Sequence, residues 1–292
     1  MTDNSREPSG NSDAATPAET RAFMTKLSAR GYAQFRHILV QLPEDDKPRA
    51  STLARMVTGR RHRELLLYML LLISWGWLEK NREPLSADAW IRALTAPGAL
   101  TWSGSTLSRS WKHLEELGLL EKRKRDDRLV RVTPRREDGG EAYSLPAGRE
   151  DRWNTYFVIP DAFWNDELFA KLSLPGLAML LVIAKETSYQ KEFWFTYDRM
   201  DEWYGLKSRT VQSGVKELKS LRLLETRELV VTAPLSPTGK TTRTYYSLAG
   251  AYSYESRATL QAQAQKGALA RARKPTPKVE MKPKRHRRKS TK

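Results

Sequence analysis

The chain has no cysteine and only four histidines, and both shortages exclude kinds of chemistry. Without cysteine there is no disulfide, no thiolate metal site and no cysteine nucleophile, which is typical of proteins from a reducing cytoplasm. The histidines (His37, His62, His113 and His286) have no partner residue at the spacing of a zinc site. We therefore predict that the protein uses no metal and no cofactor.

The sequence also lacks a hydrophobic run long enough to cross a membrane. Its most apolar stretch, residues 65–73, is followed by Glu79, Lys80 and Arg82, whereas a spanning helix needs about twenty apolar residues. We interpret this stretch as a buried helix. Since no signal peptide or lipidation motif accompanies it, we predict no membrane partner and a cytoplasmic location, nucleoid-associated if the source is bacterial.

Acidic residues are in the minority, with 34 Asp and Glu against 51 Lys and Arg and a net charge of +17. The excess is concentrated in residues 266–292, where twelve Lys or Arg stand beside one acid, Glu280. This imbalance favours a polyanionic partner, nucleic acid before membrane. For the tail by itself, a solvated basic surface is the alternative.

No enzyme motif is complete. Residues 234–241 end like a nucleotide-binding P-loop, but Pro234 occupies the position of the first glycine and no helix is predicted to follow. The histidine pair of strand-nicking enzymes and the His-x-x-Arg of tyrosine recombinases do not occur. A single tyrosine nucleophile among the eleven tyrosines stays open, although no activating group is predicted near one. We predict that the protein is not an enzyme.

One helical pattern occurs twice, 104 residues apart. Residues 106–121 and 210–225 share the i, i+4, i+7 spacing of a single buried helix face. The matching apolar pairs are Leu107/Val211, Trp111/Val215, Leu114/Leu218 and Leu117/Leu221. Each copy continues into charged, β-branched sequence that ends in Tyr-Ser-Leu. The repeat is therefore a unit of domain size, and the chain is long enough for two.

Similar elements are predicted around each copy of the pattern. Two helices precede the repeated one in each half. The N-terminal caps predicted for these helices are Ser51, Ser86 and Thr196, and those predicted for the repeated helices are Ser103 and Ser208. A β-hairpin follows each copy, with turns predicted at residues 137–140 and 237–240 and a further strand at residues 155–160. Arg222 stands where the first copy has Gly118, a substitution that would cost about 1 kcal/mol if the backbone there needs positive φ.

The first copy of the repeat carries a recognisable motif. Residues 103–107 (Ser-Gly-Ser-Thr-Leu), continued by Leu114, Gly118, Leu119 and Leu120, resemble the Ser-x-x-Thr-Val…Leu…Gly-Leu-Leu helix of winged helix-turn-helix proteins. The second copy differs from this motif at Lys207 and Arg222. The resemblance covers residues 30–145 and 153–248, and it implies tandem winged helix-turn-helix domains, as in transcription regulators and plasmid replication initiators. The expected fold class is mainly α with small β-hairpins (α+β).

Five parts are predicted along the chain. They are a disordered lead (1–20), a first winged-helix domain (21–145), a linker (146–154), a second winged-helix domain (155–250) and a basic tail, partly helical to disordered (251–292).

The resemblance also implies that the third helix of each domain lies in the major groove of DNA. Its outward residues are Ser105, Ser108, Arg109 and Lys112 in the first copy and Lys207, Arg209, Gln212, Ser213 and Lys216 in the second. Arginine and glutamine suit guanine and adenine edges, whereas serine and lysine suit phosphates. Basic candidates elsewhere are Arg123, Arg125, Arg128, Lys240, Arg243, Arg285, Arg287 and Arg288. A solvated surface is the alternative for each, and Trp194 and Trp203 are interpreted as core residues.

We therefore predict sequence-specific binding of double-stranded DNA, with transcription regulation favoured by the breadth of the family. A plasmid-type replication initiator is the alternative, and a non-catalytic protein-interaction module is the alternative from a different class. Further candidate partners are a second copy of the chain, through the sparsely charged second hairpin, and the replication or transcription machinery.

Overall fold

The computed structural model describes residues 14–81, 84–126, 129–148 and 151–272. Within these residues the protein is mixed α+β, with eleven α-helices and three small antiparallel sheets. The expected class, α+β, is confirmed. Across the same ranges, no helix combines the length and apolar character needed to cross a membrane.

The first half contains five helices and three strands. In chain order they are α1 Pro17–Lys26, β1 Tyr32–Arg36, α2 Thr52–Thr58, α3 His62–Asn81, α4 Ala87–Leu94, α5 Gly104–Glu116, β2 Lys124–Asp126 and β3 Leu129–Arg131. The second half begins with β4 Tyr156–Pro160 and continues through α6 Ala162–Asn165, α7 Leu168–Lys171, α8 Leu174–Glu186, β5 Phe193–Trp194, α9 Tyr197–Tyr204, α10 Ser208–Ser220, β6 Leu224–Thr232, β7 Lys240–Leu248 and α11 Tyr254–Ala272.

The order helix, helix, helix, hairpin occurs in both halves, as α3–α4–α5–β2–β3 and α8–α9–α10–β6–β7. The start of a helix leaves backbone N–H groups without partners, and the hydroxyls of Ser86, Ser103 and Thr196 accept bonds from these groups, as predicted. The predicted cap Ser208 is wrong, because it is the first helical residue of α10 and Lys207 holds the cap position without a side-chain bond. Ser51 precedes α2, but its hydroxyl donates to the carbonyl of Ile38 instead.

α5 and α10 end in the same way. The N–H of Leu119 bonds to Leu114 O and that of Leu223 to Leu218 O, both at 2.9 Å, which is the bond pattern of a helix end with a left-handed residue. Gly118 holds the left-handed position after α5 with φ +76°, and Arg222 holds it after α10 with φ +55°. The expectation that Arg222 occupies a position suited to glycine is confirmed.

The first hairpin differs from the prediction. A turn does lie at residues 137–140, but the paired strands are β2 and β3, which come earlier in the chain. Of the predicted returning strand, residues 142–145, only Ala142 pairs, in an isolated bridge with Arg135. Glu137 is fully buried and forms an ion pair of 2.9 Å with Arg36. This carboxylate therefore belongs to the interior of the protein, because its partner is a buried arginine.

The two halves share a sheet. β1 pairs with β4 over five residues, from Tyr32 opposite Pro160 to Arg36 opposite Tyr156. The strand predicted at residues 155–160 is confirmed, whereas residues 32–36 join both halves and do not belong to the first half alone. Buried side chains from both halves form one contiguous hydrophobic cluster.

Both ends of the described chain contain helix. α1 begins at Pro17 behind a capping box in which Thr16 and Glu19 bond to each other's backbone N–H, so the predicted disorder is wrong for residues 17–20. Residues 1–13 lie outside the described ranges. At the other end α11 extends to Ala272, within the predicted tail, and residues 273–292 again lie outside.

Candidate nucleic-acid interface

One face of α5 packs into the core and the opposite face is exposed. Leu107, Trp111 and Leu114 are buried, and the Trp111 ring meets Trp90 of α4 edge-on at 5.4 Å. This packing orients the helix. Its exposed residues Ser105, Ser108, Arg109 and Lys112 follow the i, i+3, i+4, i+7 spacing of a single outer face.

α10 has the same arrangement, fixed by close packing on α8. A Cβ atom at Gly214 would clash with Pro175 O and lie 2.6 Å from Met179 Cγ, so only glycine fits here. Arg209, Gln212, Ser213 and Lys216 are exposed on the outer face. Their spacing is the same as that of the four α5 residues, and the two sets are offset by 104 residues.

The two outward arginines are not engaged within the protein. Among the described residues, no hydrogen bond or ion pair involves the guanidinium of Arg109 or Arg209. Two of the lysines differ from them, since Lys112 lies 3.8 Å from Glu116 and Lys207 lies 2.7 Å from Asp201. Arg109 and Arg209 therefore have all their donors available to a partner.

Three arginines next to the first hairpin, which consists of β2 and β3, have partners within the protein. Arg123 donates from Nε to Glu115 Oε1 at 2.8 Å, Arg135 to Gly140 O at 2.6 Å and Arg136 to Asp138 at 2.9 Å. The side chain of Arg125 and the whole of Arg128 lie outside the described residues, as do Arg285, Arg287 and Arg288. The segments next to this hairpin thus carry less unpaired positive charge than the sequence indicates.

Arg243 of the second hairpin belongs to a stack of arginine and tryptophan side chains. Its guanidinium lies 4.3 Å from the centre of the Trp194 ring, and Arg199 lies 4.9 Å from the same ring and 5.1 Å from Trp203. Arg49 covers Trp203 at 5.7 Å. Both tryptophans are half-buried, and their association with arginine is a cation–π interaction. Lys240 is exposed at the start of β7.

The surroundings of α5 and α10 differ in charge. Asp198, Asp201 and Glu202 lie on α9 and, with Ser208, line a shallow cavity of about 330 Å³ at the start of α10. Of the α4 residues in the first half, only Asp88 is acidic. The outer face of α5 is therefore the more favourable of the two for a polyanion.

Sequence reasoning did not single out one group of basic residues. Arg60, Arg61 and Arg63 fall within four positions where α2 ends and α3 begins. Arg61 contacts α5 through His113, with Nη1 at 2.7 Å from Nδ1. The density of arginine at residues 60–63 can be read from the sequence. The nearness of these arginines to α5 cannot, because the contact depends on packing between residues 52 positions apart.

His37, His62 and Asp161 are among the partly buried groups with shifted pKa values. Burial lowers the pKa of His37 to about 3 and that of His62 to about 4, so both are neutral at pH 7. Burial raises the pKa of Asp161 to about 7. Asp161 lies at the junction of the halves, where its N–H donates to Gly31 O at 3.0 Å. Among the described residues, no cluster of His, Cys, Asp or Glu could hold a metal ion.

Comparison of the chain with protein-family models, with curated proteins and with solved structures finds no match.

Proposed function

We propose that this protein is a sequence-specific binder of double-stranded DNA, without catalytic activity, built from two winged-helix units in which α5 and α10 enter the major groove. The observation that carries the proposal is the matched pair of outward helix faces. Each presents an exposed arginine, without a partner in the described chain, among serines and lysine at the same helical spacing. A planar guanidinium in such a position can donate two hydrogen bonds to a guanine edge.

The repeated element order supports the winged-helix part of the proposal. In each half a helix with a capped N-terminus precedes the outward helix, and a hairpin follows it after a left-handed turn. The biological role that we propose is transcription regulation. Binding sites scattered at promoters would support this role, whereas sites clustered at one replication origin would contradict it.

The test begins with selection of a preferred duplex from a random pool. Binding isotherms are then measured on that duplex and on a scrambled one for wild type, Arg109→Ala and Arg209→Ala. Each substitution should cost about 1 to 3 kcal/mol on the preferred duplex and little on the scrambled one. Arg152→Ala is the control, because this exposed arginine is already paired with Asp45; it should bind both duplexes as wild type does.

A chain without residues 273–292 separates DNA reading from simple charge attraction. The basic tail neutralises phosphates, so its removal should weaken binding to both duplexes and reduce the salt dependence while the preference stays. Equal losses on both duplexes for the Arg109 and Arg209 variants would contradict base reading. If the truncated chain has no sequence preference, the protein-interaction alternative gains.

A further inference from the structure

Residues 59–63, Gly-Arg-Arg-His-Arg, comprise the turn after α2 and the first two residues of α3, and are called here the arginine loop. Three of the five side chains carry a guanidinium. Arg60 is exposed, while Arg61 and Arg63 are partly buried. The loop is not part of the repeated pattern, and the proposed function above makes no use of it.

Contacts from the arginine loop reach α5, the outward helix of the first half. Arg61 lies against His113 of α5, and the Nε of Arg63 donates to Thr101 O, two residues before the α5 cap, at 3.3 Å. The loop therefore lies beside α5.

The loop carries more positive charge than its surroundings balance. Glu64 is 3.8 Å from Arg61 and compensates that residue. Within the described ranges, Arg60 has no hydrogen bond or ion pair from its side chain, and Arg63 has only the carbonyl of Thr101. The guanidinium groups of Arg60 and Arg63 thus have no carboxylate partner within these ranges.

Arg60 also holds a backbone conformation that disfavours it. Its φ is +54°, and Arg61 N bonds to Met56 O at 2.8 Å, so Arg60 occupies the left-handed position at the end of α2 where glycine is the usual residue. An L-residue is strained in this region. A strained residue at the surface is a candidate for function, because its side chain contributes nothing to packing that would offset the strain.

We propose that the arginine loop binds backbone phosphates of duplex DNA beside the segment faced by α5, with Arg60 and Arg63 as the phosphate ligands. The proposal rests on the proposed function, since it requires that α5 approaches the duplex. Guanidinium groups bind phosphate oxygens through paired N–H donors. The contact is independent of base sequence and extends the α5 interface along the DNA backbone.

The decisive variant is Arg60→Gly, because glycine removes the phosphate ligand and the backbone strain together. We expect a melting temperature equal to or above that of wild type, so lost affinity cannot come from unfolding. Affinity for the preferred and scrambled duplexes should fall alike, by about threefold or more, and the slope of log affinity against log salt should fall by about one unit. Arg60→Lys, which keeps the charge, should recover most of the slope.

Arg222→Gly is the matched control, since Arg222 also has a positive φ at a helix end. Arg222→Gly should be stabilised as much as Arg60→Gly is, but its slope of log affinity against log salt should equal that of wild type. An unchanged salt slope for Arg60→Gly, or equal losses for both variants, would overturn the loop proposal. The proposed function fails separately, if the wild-type protein shows no preference among duplexes or if the Arg109 and Arg209 variants keep it.

Discussion

Arginine has a structural role in the interior of this protein, separate from the role proposed at its surface. Arg21, Arg36 and Arg257 are each nearly fully buried. Arg21 donates to Thr95 O at 2.6 Å and pairs with Glu167. Arg257 donates to Ala184 O and Thr187 O at the end of α8 and to Tyr252 O before α11. A buried guanidinium is tolerated when most of its donors are satisfied, and of these donors only the Nε of Arg21 has no partner in the described chain. These residues therefore act as polar connectors between elements.

Removing the carboxylate from one of these connectors should destabilise the fold strongly. Glu137 accepts from the backbone N–H of Arg36 at 3.0 Å and from its Nη1 at 2.9 Å, with both side chains buried. Glu137→Gln leaves the arginine charged and without an anion, so the free energy of unfolding should fall by about 3 kcal/mol or more. Urea denaturation of Glu137→Gln and of wild type measures this difference in the free energy of unfolding.

Glu141→Gln provides the control for that substitution. Glu141 pairs with Arg136 at 3.0 Å but is largely exposed, so its loss should change the free energy of unfolding by less than about 1 kcal/mol. Similar effects for the two variants would mean that the Arg36–Glu137 pair is not the buried connector described above.

The ends of α5 and α10 differ by one residue in an otherwise equivalent turn. Gly118 adopts φ +76° with open space around it, and Arg222 adopts φ +55°. Glycine reaches this conformation without steric cost, whereas other L-residues are strained in it. The first helix therefore ends in a relaxed turn and the second in a strained one.

Exchanging the residue type at these two turns should move stability in opposite directions. Arg222→Gly should raise the free energy of unfolding by up to about 1 kcal/mol, and Gly118→Ala should lower it by about the same amount. Thermal and urea unfolding of the two variants measure both changes. A loss of stability in Arg222→Gly would indicate that the arginine side chain contributes contacts that outweigh the strain.

Local chemistry explains which elements could be predicted. The caps Ser86, Ser103 and Thr196 and the turn at Arg222 depend on neighbours within a few residues, so the sequence pattern is sufficient for them. The outward faces of α5 and α10 follow from helical periodicity for the same reason. The bounds of β6 could not be predicted in the same way, because most of this strand is exposed and lacks the alternation that marks a half-buried strand.

Long-range contacts account for what could not be predicted. β1 pairs with a strand more than a hundred residues away, and the pairing of Arg36 with Glu137 spans 101 positions. From residue type alone, Arg21 and Arg36 are expected to carry their charge at the surface, since arginine is mostly exposed. In the same way, the engagement of Arg123 with Glu115 and the nearness of the arginine loop to α5 arise from packing, which a single sequence does not reveal.

At the scale of the molecule, the two halves are joined too closely to behave as independent domains. Besides the β1–β4 sheet, Gln41 of the first half donates to Trp203 O at 3.2 Å and accepts from Lys185 at 2.6 Å. The buried cluster is continuous across the junction. We therefore expect α5 and α10 to hold a fixed mutual orientation, which matters for the proposed function because it fixes the spacing of the two duplex segments.

A close approach between the halves at Gly205 provides a test of this coupling. A Cβ atom at Gly205 would lie 2.9 Å from the Cβ atoms of Ala50 and Ala54, and the φ of +63° is itself unfavourable for alanine. Gly205→Ala should therefore lower the free energy of unfolding by about 2 to 4 kcal/mol, through backbone strain and overpacking. Gly98→Ala isolates the strain, because Gly98 has φ +76° with no atom within 4 Å; it should cost about 1 kcal/mol.

Hydrogen exchange followed by mass spectrometry shows where the instability of Gly205→Ala spreads. α3 and α8 are the most buried helices of the first and second half, so peptides from them report on each half separately. Because one core spans both, the two sets of peptides should lose protection by the same factor. Faster exchange confined to α8 and its neighbours would show instead that the halves unfold independently, and the fixed spacing of α5 and α10 would then have no structural basis.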